Sequence, residues 1–381
     1  TMAIDAMFKQ MKADGVDVIG FGAGEPDFNT PDNIKAAGIA AIEQNITRYT
    51  PAAGTVELRQ AVCGRMKADY GLEYKPSQVV VSSGAKHLVY LALRAVVNPG
   101  DEVILPAPYW VSYIELIKMV GGVPVVVTAT EAEHFKLTAE KLSAAITPRT
   151  KAILLYNPSN PTGMMYDREE LEAIAAVCTQ ADIYVISDEI YACLAYDGRT
   201  FTSFASLSAD AKERTILVNG VSKAYAMTGW RIGYACANDV IAKVMANYVS
   251  HSTGSPVAIS QRAAAVALSG SQAEIETMRQ AFEQRRNYIV ERMNAIPGVS
   301  CIQPEGAFYV MMNLEQLLGK TIHGVEITND DVFADAFLKY GLVAVVPGSG
   351  FGAPNFVRWS YATSMENIKE GLDRLEKFLA E

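Results

Sequence analysis

The sequence is poor in the residues that build metal centres and disulfide frameworks. Its 381 residues include only four histidines and five cysteines, and no two cysteines form a CxxC pair. Neither a zinc ribbon nor a secreted disulfide scaffold is supported by this pattern. The histidines also lack metal-ligand spacing, so we expect no metal. We expect the protein to work in the reducing environment of the cytoplasm.

Positive charge and long apolar runs are scarce as well. The chain has 33 Lys and Arg against 42 Asp and Glu, a formal net charge of −9, which argues against a nucleic-acid-binding surface. No apolar run reaches the roughly 18 residues of a membrane span. The first residues do not show the basic and then apolar pattern of a secretion signal. We therefore expect a globular protein that acts on small molecules.

Short apolar strands alternate with helical patterns over the first two thirds of the chain. Strands are predicted at 79–81, 102–105, 123–127, 152–156, 183–187 and 215–219. Helices are predicted at 33–45, 55–70, 85–97, 110–119, 138–145 and 167–180, with Asp32 as the cap of the first. Runs of Val, Ile and Leu without polar alternation are typical of strands buried on both faces of a parallel sheet. The pattern predicts an α/β fold.

The last third of the chain has a different pattern. A long helix at about 271–295 is followed by strands near 307–312, 343–346 and 356–360 and by a final helix at 363–380. This order is typical of a smaller α+β unit. We predict a large domain over residues 30–285 and a small domain formed by residues 1–29 and 286–381.

Several common site motifs are missing. The glycines at 20, 22 and 24 do not have the GxGxxG spacing of a dinucleotide loop, and an acidic stretch follows where a helix should begin. The chain also contains no GxxxxGK[ST], GxSxG or HExxH motif. These absences argue against nucleotide, serine-hydrolase and zinc-protease chemistry.

Three consecutive predicted strands end in polar clusters. They run into NPSNPTG at 157–163, DEIY at 188–191 and GVSK at 220–223. Each cluster alone could be a turn, a helix cap or a surface lysine. Because the carboxyl ends of parallel strands meet at one edge of a sheet, we expect one site to contain four of these side chains: Asn160, Asp188, Tyr191 and Lys223.

A lysine, an acid, a phenol and an amide around one ring match the needs of pyridoxal phosphate. The lysine amine forms a Schiff base with the cofactor aldehyde, and a carboxylate keeps the pyridine nitrogen protonated. The phenol and the amide bind the ring oxygen. Residues 82–86 (SSGAK) lie between a strand and a helix, where free N–H groups favour a phosphate. Arg231 adds a fork of donors to that phosphate.

The motifs also resemble those of a known family. The stretch GVSKAYAMTGWRIG at 220–233, NPSNPTG and SDEIY resemble class I aminotransferases in sequence and order. Further matches at 22–27, 49–51, 108–110, 346–348 and 357–361 extend the resemblance over essentially the whole chain. The similarity is greatest to the bacterial aspartate aminotransferase-like branch. It implies fold type I, with a mostly parallel sheet in a large domain and a smaller α+β domain.

The resemblance implies a role for each matched residue. Lys223 is expected to carry the cofactor and to move a proton at the substrate Cα. Arg358 is expected to hold the substrate α-carboxylate, together with Gly24 and Asn160. The expected cofactor-binding residues are Ser83, Gly84, Ala85, Trp110, Asn160, Asp188, Tyr191, Ser222, Lys223 and Arg231. Tyr49 is expected to reach the cofactor phosphate of the other subunit, so the resemblance implies a homodimer with shared active sites.

The substrate is less clearly indicated. A dicarboxylic substrate needs a second cation, and Lys86 is the candidate, although it could equally contact the phosphate or lie on a helix face. Trp110 and Lys86 complete the expected substrate site. We expect ping-pong transamination between aspartate and 2-oxoglutarate. Aromatic amino acids, alanine and prephenate stay open as substrates. β- or γ-elimination through the same Lys223 and Asp188 stays open as an alternative reaction. A non-catalytic ligand sensor is less favoured, because sensors of this fold usually carry a DNA-binding segment and none is visible here.

Overall fold

A mixed seven-stranded sheet forms the centre of the computed structural model, which describes residues 2–380. The strands are β1 Ile19–Gly20, β2 Val79–Ser82, β3 Glu102–Ala107, β4 Val123–Thr128, β5 Thr150–Tyr156, β6 Tyr184–Asp188, β7 Thr215–Gly220, β8 Gly233–Cys236, β9 Tyr309–Asn313, β10 Thr321–Ile322, β11 Val325–Glu326, β12 Val343–Ala344, β13 Val346–Pro347 and β14 Phe356–Ser360. The order in the large sheet is β2-β8-β7-β6-β5-β3-β4. Only β8 runs antiparallel to its neighbours there. The predicted α/β class with a mostly parallel sheet is confirmed.

Helices cover this sheet and continue into the C-terminal part. They are α1 Met2–Ala13, α2 Asp32–Glu43, α3 Val56–Tyr70, α4 Ala85–Val96, α5 Ser112–Met119, α6 Ala139–Ala145, α7 Arg168–Ala181, α8 Ala209–Arg214, α9 Asp239–Ser252, α10 Ala258–Ser269, α11 Ala273–Asn294, α12 Asp330–Gly341 and α13 Met365–Leu379. Local chemistry explains several boundaries. Asp167 and Glu170 form a reciprocal capping box at the start of α7. Gly71, with φ +67°, ends α3 in the left-handed conformation that glycine tolerates best.

Three sequence expectations need correction. Asp32 does not cap α2: it is the first helical residue, after Pro31, and it pairs with Lys35 at 2.6 Å. Strand β4 is not buried on both faces, because it is the last strand at one edge of the sheet; Val123 and Val126 are both about two fifths exposed. The antiparallel β8, the two-residue strands β1, β10 and β11, and helices α1, α8, α9, α10 and α12 were not predicted. The twelve residues of α10 are rich in alanine and mostly buried, so they show no polar face.

The N-terminal segment packs into the C-terminal part of the chain. Strand β1 pairs with β12 through Ile19 and Val343, and Phe21 packs on Trp359 with ring centroids 4.5 Å apart. Strands β13, β14 and β9 form a three-stranded antiparallel sheet beside them. Helix α11 is continuous across residue 285, the predicted domain boundary, and these domain limits stay a prediction. Within residues 2–380, no helix is both long enough and apolar enough to cross a membrane.

Candidate active site

The carboxyl ends of three neighbouring strands bring the predicted site residues together. Strands β5, β6 and β7 are parallel and adjacent, and Tyr156 lies opposite Asp188, which lies opposite Val218. A cavity of about 480 Å³ opens at this edge. Eleven of the predicted residues line it: Gly24, Ala85, Lys86, Trp110, Asn160, Asp188, Tyr191, Ser222, Lys223, Arg231 and Arg358.

Three predicted residues do not line the cavity. Ser83 and Gly84 lie directly behind Arg231, whose guanidinium donates to the Ser83 carbonyl at 3.2 Å. Tyr49 is fully exposed on the surface of the chain and contributes nothing to this cavity from its own subunit.

The Lys223 side chain extends from the end of β7 into the cavity. Its ammonium donates to the carbonyl of Gly24 and lies 5.9 Å from the centre of the Tyr191 ring. Burial, together with the charges of Arg231 and Arg358, lowers the pKa of Lys223 from 10.5 to about 8, and the carboxylates of Glu25 and Asp188 act in the opposite direction. A lysine with a lowered pKa has an available neutral amine near pH 8, as a nucleophile needs.

Asp188 is a buried carboxylate, with only 5% of its surface exposed. It accepts a hydrogen bond from the Tyr113 hydroxyl at 2.8 Å and one from the Ile190 amide at 3.2 Å. Burial raises the pKa of Asp188 from 3.8 to about 6, although these two donors and the charge of Lys223 act in the opposite direction. Such a carboxylate is stabilised by a cationic group placed against it.

Because the pKa of Asp188 is raised, we predict that Asp188→Asn increases the free energy of unfolding of the cofactor-free protein. Between pH 4 and 6 the folded state binds a proton that the unfolded state has lost, so stability falls as pH rises through that range. At pH 8 the full cost of burying the charge is present, and its removal should add on the order of 3 kcal/mol to the free energy of unfolding. The gain should vanish below pH 4.

Urea unfolding of the cofactor-free protein at pH 8 and at pH 4 measures this effect. Asp335→Asn is a suitable control, because Asp335 is an exposed carboxylate on α12. A lower urea midpoint for Asp188→Asn at pH 8 would contradict the prediction.

The start of helix α4 and Arg231 form a cradle for an anion. No side chain caps α4, and Gly84 before it has φ +91°. A Cβ at Gly84 would come within 2.5 Å of the Arg231 Nη2 atom, so only glycine lets the guanidinium lie this close to the helix. Free N–H groups, the helix dipole and an arginine together suit a phosphate.

Arg358 is a buried cation that has no acidic partner among the described residues. It donates to Asn160 Oδ1 at 2.8 Å and to the carbonyl of Gly22 at 3.0 Å. Among residues 2–380 its Nε atom has no hydrogen-bond partner, and no described carboxylate pairs with it. Burial therefore lowers its pKa. A buried guanidinium in this state requires an anion, and a carboxylate fits its fork of donors.

Aromatic side chains form the remaining walls. The hydroxyls of Tyr191 and Tyr309 are hydrogen-bonded at 2.8 Å, and the Tyr309 ring lies 4.4 Å from the Arg358 guanidinium. Trp110 borders the cavity, with the Lys86 ammonium 4.7 Å from its ring centre.

Sequence reasoning missed two of these side chains. Tyr113 lies in α5, three residues after Trp110, and a helix predicted at 110–119 would have placed the two side chains on one face. Tyr309 lies in a strand of the C-terminal part, and nothing near it in sequence indicates a site.

Comparison with known proteins identifies the family. Residues 16–375 match the family described as aminotransferase class I and II. The chain belongs to this family.

Relatives of this aminotransferase match it over its whole length. It is 49% identical to an aspartate aminotransferase of Bacillus sp. strain YM-2 and 48% identical to an aspartate/prephenate aminotransferase of Cereibacter sphaeroides; each match covers all of the chain and 96% of the relative. The crystal structure of the aspartate aminotransferase from Rhizobium meliloti superposes with a TM-score of 0.97 at 42% identity, covering 100% of this chain and 95% of that one.

The predicted cofactor and reaction type are confirmed by this membership: the protein is a pyridoxal-phosphate-dependent aminotransferase. Its site fits the cofactor in three places. The α4 cradle with Arg231 suits the phosphate, the buried Asp188 suits a protonated ring nitrogen, and Lys223 lies between them with a lowered pKa. The individual residue roles stay predictions.

Proposed function

We propose that this aminotransferase moves the amino group of L-aspartate to 2-oxoglutarate. The observation that carries the proposal is a pair of cations, Arg358 and Lys86, that line the same cavity. Neither has a carboxylate partner among the described residues. Two such cations suit the two carboxylates of a dicarboxylic substrate.

Relatives support this choice of substrate. Several that are 48–49% identical over the full chain are named aspartate aminotransferase. A solved aspartate aminotransferase from Thermus thermophilus, with a TM-score of 0.93, 40% identity, and coverage of 99% of this chain and 96% of that one, is described with maleate, itself a dicarboxylate.

The chain's own groups divide the work of the reaction. Pyridoxal phosphate, when bound, supplies an aldehyde that takes up the amino group and a ring that accepts electrons from the substrate Cα. We assign the α-carboxylate to Arg358, held in place by Asn160 and the Gly22 carbonyl. Lys223 then serves as the base that removes the Cα proton and later returns it.

Asp188 and its neighbours act on the ring. The Asp188 carboxylate, oriented by the Tyr113 hydroxyl, favours a protonated ring nitrogen and so increases the electron demand of the ring. Tyr191 and Asn160 are the proposed donors to the ring oxygen. The cradle of residues 83–85 with Arg231 is the proposed phosphate site, and Ser222 lies beside Lys223 in the same cavity.

An absorption experiment tests the proposed function. The purified protein with pyridoxal phosphate is mixed with L-aspartate in the absence of any keto acid. We expect the spectrum to change to that of pyridoxamine phosphate, with release of oxaloacetate, and 2-oxoglutarate should restore the starting spectrum. An unchanged spectrum would overturn aspartate as the donor. Release of pyruvate and ammonia from a sulfur amino acid, with loss of its sulfur group, would instead indicate elimination chemistry.

Replacing Lys86 with alanine should impair dicarboxylic substrates selectively. Loss of one exposed charge contact to the second carboxylate should lower kcat/KM for aspartate by about tenfold or more, with less than about twofold effect on alanine or phenylalanine. Steady-state kinetics with the three donors measures the ratio. An equal loss for all three would assign Lys86 to the phosphate instead.

We further propose that the active unit is a homodimer with shared active sites. Large apolar side chains are exposed on one group of elements: Ile39 and Ile42 on α2, Val56 on α3, and Val257 before α10. Helix α10 packs on both α2 and α3, so these elements are neighbours. An apolar surface of this kind is typical of a subunit interface. Tyr49, fully exposed beside it, is the proposed contact with the partner's cofactor phosphate.

Sedimentation should therefore give twice the 41.2 kDa mass of one chain. Ile42→Glu should shift the protein towards monomer, because it places a charge in the apolar interface. Tyr49→Phe should keep the dimer and weaken the binding of pyridoxal phosphate by about threefold to tenfold, the effect of one lost hydrogen bond. A monomeric wild-type protein with full activity would contradict both proposals.

We place this enzyme in the cytoplasm. All five cysteines are unpaired, which suits a reducing compartment.

A further inference from the structure

One short stretch of chain contacts two cations of the site, Arg358 and Lys223. Residues 22–28, here called the bridge segment, lie between β1 and α2. The Gly22 carbonyl accepts from Arg358 at 3.0 Å, and the Gly24 carbonyl accepts from Lys223. A Cβ at Gly24 would be 3.1 Å from the Tyr309 hydroxyl, so the backbone closely borders the cavity. The position of this segment therefore affects both the base and the carboxylate-binding arginine.

Two acidic side chains fasten the bridge segment on opposite sides. Asp27 makes a two-point ion pair with Arg285 on α11, at 2.7 and 3.0 Å. Glu25 accepts a hydrogen bond from the Thr228 hydroxyl at 2.8 Å. The Thr228 carbonyl in turn accepts from Arg231 at 2.8 Å. Glu25 thus connects the bridge segment to the residue that orients the phosphate-binding arginine.

Glu25 also supplies negative charge to Lys223. Four charged groups act on that ammonium: the carboxylates of Glu25 and Asp188 raise its pKa, while Arg231 and Arg358 lower it together with burial. Glu25 has the largest effect of the four. Asp188 is already engaged by Tyr113 and has a proposed role at the cofactor ring. Glu25 is therefore the carboxylate left to balance the charge of Lys223.

We propose that Glu25 is a positioning residue for the reaction: its charge supports the Lys223 ammonium, and its bond to Thr228 holds the bridge segment in place. This inference rests on the proposed roles of Lys223 and Arg358. Glu25 does not itself react in this proposal; it acts through Lys223, Thr228 and the backbone of the bridge segment.

The charge effect can be measured on the protein without cofactor. The rate at which trinitrobenzenesulfonate modifies Lys223, followed by peptide mass spectrometry across pH, gives the midpoint for loss of the ammonium proton. Glu25→Gln removes the charge and should lower this midpoint by about half a pH unit or more. Thr228→Val keeps the charge and should leave the midpoint within about 0.2 unit. Glu291→Gln, an exposed change on α11, serves as the matched control.

Steady-state kinetics separates the positioning effect from the charge effect, because here Thr228→Val is expected to change KM and Glu25→Gln is not. Thr228→Val removes the hydrogen bond to Glu25 and should raise KM for aspartate by about threefold to tenfold, with a smaller change in kcat. Glu25→Gln keeps an amide oxygen for Thr228, so its KM should stay within about twofold of wild type. The pH dependence of kcat in Glu25→Gln should shift to lower pH, in parallel with the midpoint for loss of the Lys223 proton.

Two results would overturn the inference. An unchanged Lys223 midpoint in Glu25→Gln would remove the charge role, and an unchanged KM in Thr228→Val would remove the positioning role. Because the midpoint is measured without substrate or cofactor, a shifted midpoint in a protein that does not use aspartate would support the charge role while refuting the proposed substrate.

Discussion

Lys223→Ala is expected to abolish turnover and the covalent attachment of pyridoxal phosphate. Among the described residues, Lys223 is the only cavity-lining lysine that follows one of the strands β5, β6 and β7, and Asp188 and Arg231 line the same cavity. By the proposed roles, removing it takes away both the amine that bonds to the cofactor and the base at the substrate Cα. A general base alone contributes about 10²–10⁴-fold, so the combined loss in kcat should exceed about 10⁴-fold.

Borohydride treatment followed by peptide mass spectrometry checks the attachment. Wild type should carry the reduced cofactor on the peptide that contains Lys223, and Lys223→Ala should carry none. Lys86→Ala is the matched control, because Lys86 borders the same cavity and its loss should leave the attachment intact. A cofactor still fixed to Lys223→Ala would assign the covalent bond to another lysine.

Arg358→Ala is expected to produce the second largest loss. The buried guanidinium has its donors fixed by Asn160 and Gly22, and truncating one partner of a buried charge pair typically costs 2–5 kcal/mol. This corresponds to a decrease in kcat/KM of roughly 30- to 5,000-fold for every amino donor. Arg358→Lys keeps the charge but loses the planar fork, so an intermediate activity is expected.

Thermal unfolding distinguishes this loss from a folding defect. The Arg358 charge has no acidic partner in the part of the chain that the structure describes, and burying such a charge is costly, so its removal should not lower the unfolding temperature of the cofactor-free protein. Arg292→Ala, which breaks a surface ion pair with Asp373 and Glu376, is the kinetic control. Equal kcat/KM for Arg358→Ala and wild type would exclude Arg358 from the substrate site.

The candidate site at the carboxyl edge of the sheet could be predicted from sequence because its signals are local. Asn160, Asp188 and Lys223 each follow a short apolar strand, and parallel strands place their carboxyl ends together. Residues that reach the site from elsewhere had no such signal. Arg358 contacts Gly22 across 336 residues of sequence, and only family resemblance pointed to either residue.

The missed elements also have physical causes. Strand β8 is four residues long and follows directly on the lysine motif, so no apolar run distinguishes it. Tyr309 is buried in β9 like any core aromatic, and only the fold brings its hydroxyl to Tyr191. Thr228 and Glu25 lie in loops where polar residues are ordinary, and their hydrogen bond depends on tertiary structure.

The pairing of β1 with β12 has a consequence for biosynthesis. The Phe21 side chain, which ends fully buried against Trp359, is made long before its partner. Ribosomes add about 5–20 residues per second, so the 336 residues between Gly22 and Arg358 take roughly 20 to 70 seconds. During that interval β1 has no partner strand, so this segment stays open to chaperones and proteases until β12 and β14 have been made.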